Sequence, residues 1–272
     1  MTERADDRKT GPDHAPDQDV SYPSYLCLEE LLELQRPRTD PVHPDELLFI
    51  VVHQASELWF KVILHELEGL VAGMQRLDAG AALWRLNRIN SLMRIVSAQL
   101  AALDTLPPQR FREFRGYLGS SSGSQSDQFR AIEAMSGLRD EHFMHVISAH
   151  GEIPDIVQRA LAGPTLQELF LRLLESEGAT PASIYTGAGP GTLFFVAEAL
   201  LEYEQQFGLW RFRHVQLVER VIGPGTGGTG GTLGAKYLSR TVAQRFFPAL
   251  WDVRHQLYSG SAPTAVPGGP GA

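Results

Sequence analysis

Apolar residues recur at spacings of three and four along most of this chain, which is the period of a helix with one buried face. The pattern is longest over residues 46–74, 78–103 and 192–222. Shorter helical segments are predicted over 25–35, 108–119, from 127 onward, 138–161, 165–177 and 238–258. No segment shows the apolar–polar alternation that a half-buried strand requires. The chain is therefore expected to fold as an all-α helical bundle.

The breaks between these segments carry residues that begin or end helices. Pro41 and Pro44 separate the first two segments, and Asp78 stands where a helix N-cap is expected. Residues 1–20 contain few apolar side chains, and residues 260–272 are rich in Gly, Pro and Ala. Both tails are predicted to be disordered. Residues 21–259 then form a single all-helical domain.

Composition narrows the classes of function. The 272 residues are 43% hydrophobic and carry a formal net charge of -8 without a basic cluster, which argues against a nucleic-acid partner. No uninterrupted apolar run reaches the roughly 18 residues that cross a membrane, so a cytoplasmic protein is expected. Cys27 is the only cysteine, which excludes an internal disulfide and a cysteine-built metal site. Because leucines flank it on both sides, Cys27 is predicted to be buried.

The first candidate for chemistry is His214, in the aromatic and basic stretch 209–214. Phe207, Trp210 and Val218 share its helical face, so the histidine lies on a partly apolar surface. Two readings remain open: a half-buried histidine bonded to a carboxylate or carbonyl, or a cofactor ligand. The flanking Arg211 and Arg213 suit the propionates of heme, which favours the ligand.

His53 is the second candidate and lies within the apolar segment 49–59. Glu57 follows four residues later, so an ordinary helical pair in the core is one interpretation. The other is a polar tip in an apolar pocket, which would orient a small substrate. Arg112 and Arg115 precede the serine-rich loop 120–126, where an arginine beside hydroxyls makes either a carboxylate clamp or a surface charge.

Two further patterns point elsewhere. The glycine-rich stretch 223–234 lacks both the Gly-Lys-Ser/Thr ending and the preceding strand of a phosphate loop, so it is interpreted as a lid or linker. Glu141 and His145 lie four residues apart and could chelate a non-heme metal, with Glu57, His65 and Glu66 as possible donors. No Glu-x-x-His pair of the di-iron type accompanies them, so a solvated polar face is favoured.

Taken together, the motifs resemble the tryptophan 2,3-dioxygenase family from Tyr22 to about Arg254. The matching stretches are 22–26 (YPSYL), 45–59 (DELLFIVVHQASELW), 114–119 (FRGYLG), 121–126 (SSGSQS), 209–214 (LWRFRH), 220–223 (RVIG) and 228–231 (GTGG). Each stretch alone is a weak signal, and their common order along the chain makes the combined signal specific.

The resemblance implies a role for each candidate. His214 would be the proximal ligand of the iron of heme b, and His53 would be the catalytic residue that accepts the indole N–H. The residues expected at the substrate are Phe49 and Phe111 around the indole, Arg115 at the carboxylate, Ser122, and Thr229 at the ammonium or carboxylate. The residues expected beside the heme are Trp210, Gly123 and Ser124. Thr229 is preferred to Thr226 because counting back from Tyr237 aligns it without a gap.

The family resemblance also implies the reaction and the assembly. With O2 as co-substrate, L-tryptophan or a substituted tryptophan such as β-methyltryptophan would be cleaved to an N-formylkynurenine-type product. Tyr22 and Tyr25 resemble a segment that enters a neighbouring subunit's site, which implies a homotetramer or a dimer. No nucleic acid or membrane is expected as a partner.

Departures from the family pattern cluster near the substrate. Ser124 replaces a phenylalanine, Ser120 a proline, and Val52 a residue that is often polar, and the stretch 228–234 also differs. These changes keep two alternatives open: a heme monooxygenase of secondary metabolism that forms an oxindole or hydroxylated tryptophan, and a non-catalytic heme sensor.

Overall fold

The computed structural model describes residues 20–148, 151–227 and 235–259, without the side chains of His142 and residues 235–237. Thirteen α-helices occur in these ranges: α1 Tyr22–Tyr25, α2 Leu28–Leu32, α3 Glu46–Gln75, α4 Ala79–Gln99, α5 Pro108–Arg115, α6 Asp127–Ser136, α7 Glu141–Ser148, α8 Asp155–Ala162, α9 Leu166–Ser176, α10 Pro181–Tyr185, α11 Gly191–Ile222, α12 Ala235–Thr241 and α13 Pro248–Ser259. Short 3₁₀ helices span Leu100–Thr105, Gly116–Leu118 and Gly123–Gln125. The described ranges contain no strand, which confirms the all-α prediction.

Three long helices form the centre of the bundle. Helix α4 lies between α3 and α11 and packs extensively against both. Their facing sides bury apolar residues completely, including Leu67 on α3, Ile89 on α4 and Leu200 on α11. Because apolar residues repeat every three or four positions on each helix, each can bury a continuous stripe and keep its polar residues outside. The helices that carry His53 and His214, α3 and α11, are thereby held on a rigid core.

The long helices were predicted to within a few residues, as were α9 and the starts of α5 and α6, but the other short helices were not. The predicted helix 138–161 is two helices, because Gly151 takes a positive φ of 112° and Pro154 follows it. The predicted helix 238–258 is likewise divided, and the second part, α13, starts at Pro248. The predicted segment 25–35 is split at Cys27, and α10 was not predicted. The predicted disordered tails, 1–20 and 260–272, lie outside the described residues except for Val20.

One expectation from composition was wrong. Cys27 is exposed and has a positive φ of 49°, because it stands between the two short helices α1 and α2 instead of inside one. Helix α3 contains an 18-residue window of mean hydropathy 1.6, so its length and composition alone would allow it to cross a membrane. The same composition is found in core helices of globular proteins, and α3 packs here against α4, α6 and α9.

The start of α3 is fixed by a buried carboxylate. Glu46 is 2% exposed. It accepts hydrogen bonds from the hydroxyl of Thr39 at 2.6 Å and from the backbone N–H groups of Arg38 at 2.7 Å and Thr39 at 3.1 Å. Desolvation by burial would raise the pKa of Glu46, but these hydrogen bonds outweigh it and the pKa lies below its ordinary value. The carboxylate therefore ties the preceding segment to the helix that carries His53.

We expect Glu46→Gln to lower the free energy of unfolding at pH 7 by about 2 kcal/mol, because a charged acceptor of three hydrogen bonds is lost. The folded-state pKa is depressed, so this contribution is present above pH 4.5 and is lost as the pH falls through the folded-state pKa. Urea unfolding at pH 7 and pH 4 measures the difference, with Glu68→Gln on the exposed face of α3 as the control. An equal loss at both pH values would contradict the assignment.

Candidate functional site

A large cavity opens between α3, α5, α6, α11 and the loop 122–126, which we call the serine loop. Its volume is about 1180 Å³ and its walls are mainly apolar. Small-molecule sites generally measure roughly 300–1,000 Å³, so this cavity has room for a large cofactor beside a second molecule. A separate depression of about 600 Å³ is lined by polar residues such as Glu198 and Arg254, which pair with each other, and it contains none of the predicted site residues.

His53 lies on the α3 wall of the cavity. Its Nδ1 is 2.7 Å from the carbonyl oxygen of Phe49. A carbonyl can only accept, so Nδ1 carries the proton and Nε2 is left as an acceptor. Desolvation lowers the pKa of His53, although the bond to Phe49 and the charge of Glu57 act in the opposite direction. The side chain is exposed to the open cavity, and with its lowered pKa it is a neutral acceptor near pH 7.

His214 lies on the α11 wall. It makes no hydrogen bond with any residue that the structure describes, and the ring of Trp210 packs against it with centroids 5.3 Å apart. Burial, with a smaller contribution from the nearby His53, lowers the pKa of His214 to about 4. The imidazole is therefore neutral and holds an available lone pair. Both histidines line the same cavity.

The indole nitrogen of Trp210 is the second unusual feature of this wall. Its Nε1 is buried and has no hydrogen-bond partner within the described ranges. A buried donor without a partner costs free energy, and native proteins rarely leave one unsatisfied. Since Trp210 lines the cavity, an acceptor on a bound molecule would satisfy this group.

Three phenylalanines form the aromatic end of the cavity region. The ring of Phe49 lies 4.2 Å from that of His53, 5.6 Å from Phe111 and 5.7 Å from Phe114, measured between centroids. Phe111 is buried and lines the cavity with Phe49. A planar aromatic ligand fits between such faces and edges.

Arg115 supplies a positive charge at the aromatic end. One Nη donates to the carbonyl of Gly227 at 2.5 Å, and no carboxylate of the described residues pairs with the guanidinium. Arg115 lines the cavity, whereas Arg112 is exposed and does not. Of the two arginines considered from sequence, only Arg115 is placed to bind a carboxylate inside.

The serine loop is ordered by its own hydrogen bonds. Ser122 caps the short 3₁₀ helix: its hydroxyl accepts from the N–H of Ser124 at 3.3 Å and from the Ser124 hydroxyl at 3.0 Å. Ser122, Gly123 and Ser124 all line the cavity, and no atom lies within 4 Å of a Cβ built on Gly123. Thr229 lies outside the described residues, and Thr226 is described but is not among the lining residues.

The N-terminal tyrosines lie outside this chain's own cavity. Tyr22 is 74% exposed and Tyr25 is 77% exposed, and neither is a lining residue. Leu31, Leu34 and Gln35, which follow them, do line the cavity. Entry of the tyrosines into a neighbouring subunit's site stays a prediction.

The carboxylates considered for a non-heme metal are used elsewhere. Glu66 binds Arg85 at 2.8 Å and Arg88 at 3.0 Å. Glu57 accepts a hydrogen bond from Gln128 at 2.8 Å. Glu141 and His145 are exposed on α7, away from the cavity.

One set of cavity residues was not predicted from the sequence. Arg130 and Glu133 on α6 line the cavity and form an ion pair, and Glu133 also binds Arg211. Arg211 was expected to meet a propionate and is instead paired with Glu133. Arg213 does not line the cavity and donates to the carbonyl of Ser97 at 3.2 Å. The three-residue spacing of Arg130 and Glu133 was the only sequence signal, and it resembles an ordinary surface pair.

The fold and the site define an all-α protein whose helices enclose a cofactor-sized apolar cavity with a neutral histidine on each of two walls. The tryptophan 2,3-dioxygenase family model matches residues 6–153 and 168–257. The chain is 39% identical over 260 residues to the tryptophan 2,3-dioxygenase of Anaeromyxobacter dehalogenans, covering 88% of this chain and 96% of that protein. It is 37% identical to the enzyme of Kineococcus radiotolerans, covering 89% and 92%, and 38% identical to that of Myxococcus xanthus, covering 88% and 90%. The chain therefore belongs to the tryptophan 2,3-dioxygenase family, which is a family of oxidoreductases.

Proposed function

We propose that this protein binds heme b in the cavity between His53 and His214 and oxygenates the indole ring of tryptophan with O2. The single observation that carries the proposal is the pair of neutral imidazoles on the walls of one apolar cavity of about 1180 Å³. His214 would ligate the iron, since its lone pair is free in the neutral state. The unsatisfied N–H of Trp210 adds a donor for a polar group of the cofactor.

The substrate would lie at the aromatic end. Phe49 and Phe111 give the indole ring an apolar wall, and the Nε2 of His53 is the acceptor that its N–H requires. The guanidinium of Arg115 would bind the substrate carboxylate. Thr229 is the proposed partner of the ammonium or carboxylate. Contacts at both ends of the amino acid fix its orientation, so that the indole ring is held in position to react.

When bound, ferrous heme supplies the activation of dioxygen, which the protein's side chains cannot provide. The chain contributes the positions of the reactants. The neutral His53 holds the indole proton at Nε2, and the apolar walls exclude water around the ring that is oxidised. Incorporation of both oxygen atoms across the C2–C3 bond opens the ring and yields N-formylkynurenine.

We further propose a homotetramer or dimer in which the segment around Tyr22 and Tyr25 completes a neighbouring site. Both tyrosines lie on the outside of the isolated chain, which leaves them available to a second copy. A substituted tryptophan is the alternative substrate that Ser124 suggests, because a serine on the cavity wall occupies less space than a phenylalanine.

The reaction is tested by reducing the heme-loaded protein anaerobically and then adding O2 with L-tryptophan. We expect a product heavier by about 32 mass units with kynurenine-type absorbance, because two oxygen atoms are added. A gain of about 16 would assign a monooxygenase, and turnover only with β-methyltryptophan would assign a substituted substrate. Heme binding without any spectral response to indole amino acids would indicate a non-catalytic heme sensor.

For the iron ligand, we expect His214→Ala to lose at least about 90% of the bound heme during purification, because the protein's bond to the iron is removed. The ratio of Soret absorbance to protein absorbance measures the loss. His65→Ala on the exposed face of α3 is the control and should retain heme. Full heme content and an unshifted Soret band in His214→Ala would refute the ligand assignment.

For the carboxylate clamp, we expect Arg115→Ala to raise the apparent dissociation constant for L-tryptophan at least roughly tenfold, since the buried carboxylate would lose its charged partner. Arg112→Ala is the matched control, because it removes an arginine from the same helix outside the cavity. Spectral titration of the ferric protein with tryptophan measures both constants. Equal constants for the two variants would exclude Arg115 from this role.

A further inference from the structure

A buried ion triad connects two walls of the cavity. The carboxylate of Glu133 binds Arg130 at 2.5 Å through one oxygen and Arg211 at 2.7 Å through the other. The side chains of Glu133 and Arg211 are 3% and 4% exposed, and that of Arg130 is 12% exposed. Buried charges persist only when they are paired, so the three groups hold one another in a defined geometry.

Each arginine of the triad also reaches a different part of the cavity wall. Arg130 donates through Nε to the carbonyl of Ser124 at 3.3 Å, in the serine loop. Arg211 donates to the carbonyl of Thr241 at 3.0 Å, at the end of α12, and lies over the ring of Phe207 at 4.6 Å. Arg211 is one residue from Trp210 and three from His214 on the same helix.

We propose that Glu133 is a positioning residue of the cavity, which sets the separation between the serine loop and the His214 helix by binding Arg130 and Arg211 together. It touches neither substrate nor cofactor in this role. The part of the proposal that concerns heme and substrate rests on the proposed function. The part that concerns the two walls rests on the contacts alone.

The chain supplies a matched control in a second triad of the same composition. Glu66 on α3 binds Arg85 and Arg88, and its side chain is 5% exposed. None of these three residues lines the cavity. Neutralising either carboxylate removes a buried charge that bridges two arginines, but only Glu133 connects cavity walls.

The first test is hydrogen–deuterium exchange on the purified full-length protein with Glu133→Gln or Glu66→Gln. We expect Glu133→Gln to increase exchange in peptides covering the serine loop and Thr241, and Glu66→Gln to increase it only around α3 and α4. Local increases at different places in the two variants would distinguish a positioning role of Glu133 from a general loss of stability. A uniform increase in both variants, or no local increase in Glu133→Gln, would overturn the proposal. The measurement requires no turnover, so it stands apart from the test of the proposed function.

The second test follows the heme-loaded protein. We expect Glu133→Gln to release heme about tenfold faster to an excess of apomyoglobin and to shift the low-spin ferric electron paramagnetic resonance signal, because groups that orient a metal ligand typically matter to this degree. Glu66→Gln should match the unaltered protein in both measurements. An unchanged release rate together with an unchanged spectrum in Glu133→Gln would contradict the role toward heme.

A third variant keeps the proposal testable if Glu133→Gln fails to fold. Arg130→Gln leaves the pair of Glu133 and Arg211 intact and removes the ion pair of Arg130 with Glu133 together with the hydrogen bond to Ser124. We expect it to raise the KM for tryptophan about fivefold with a nearly unchanged kcat and heme release rate, because only the serine loop is freed. A fall in kcat without a change in KM, or no change in either constant, would refute the role of Arg130 in holding the serine loop.

Discussion

The packing of α11 against α4 decides where the groups of the cavity lie. A continuous helix fixes its side chains at 3.6 residues per turn, so Trp210 and His214, which are four residues apart, share one face. The buried contacts of Leu200 with the core anchor the same helix farther toward its N-terminus. Because the core sets the rotation and axial position of α11, the imidazole of His214 can face the cavity without a hydrogen bond to any of the described residues.

Neutral and charged groups occupy different parts of the cavity. The two histidines lose their charge through burial, which leaves lone pairs instead of cations in an apolar space. The charges that remain either pair within the wall, as Glu133 does with its arginines, or stay at one end, as Arg115 does. This division gives the cavity one region suited to a large apolar cofactor and another suited to an amino acid.

The sequence was sufficient to predict the structure wherever local helix-forming preferences and tertiary packing agreed. Long amphipathic stretches gave α3, α4 and α11 with bounds close to those observed, and motif order placed His53, Phe49, Phe111 and Arg115 on one cavity. The pairing of Arg211 with Glu133 was beyond sequence reasoning, because the partners are 78 positions apart and join two helices whose packing no local pattern specifies. The exposure of Cys27 was not predicted for a similar reason, because its leucine neighbours indicate burial only if they belong to the same helix as Cys27.

The segment from Leu31 to Thr39 forms part of the cavity's outer boundary and is fastened to α3 at two places. Gln54 receives a hydrogen bond from Gln35 at 2.6 Å and donates to the carbonyl of Leu34 at 3.1 Å, and Glu46 holds Arg38 and Thr39 farther along. None of its leucines belongs to the central hydrophobic core. The lining leucines can thus be exchanged for larger or smaller side chains while the fastening polar groups are kept, so this boundary can be redesigned to admit different ligands independently of folding.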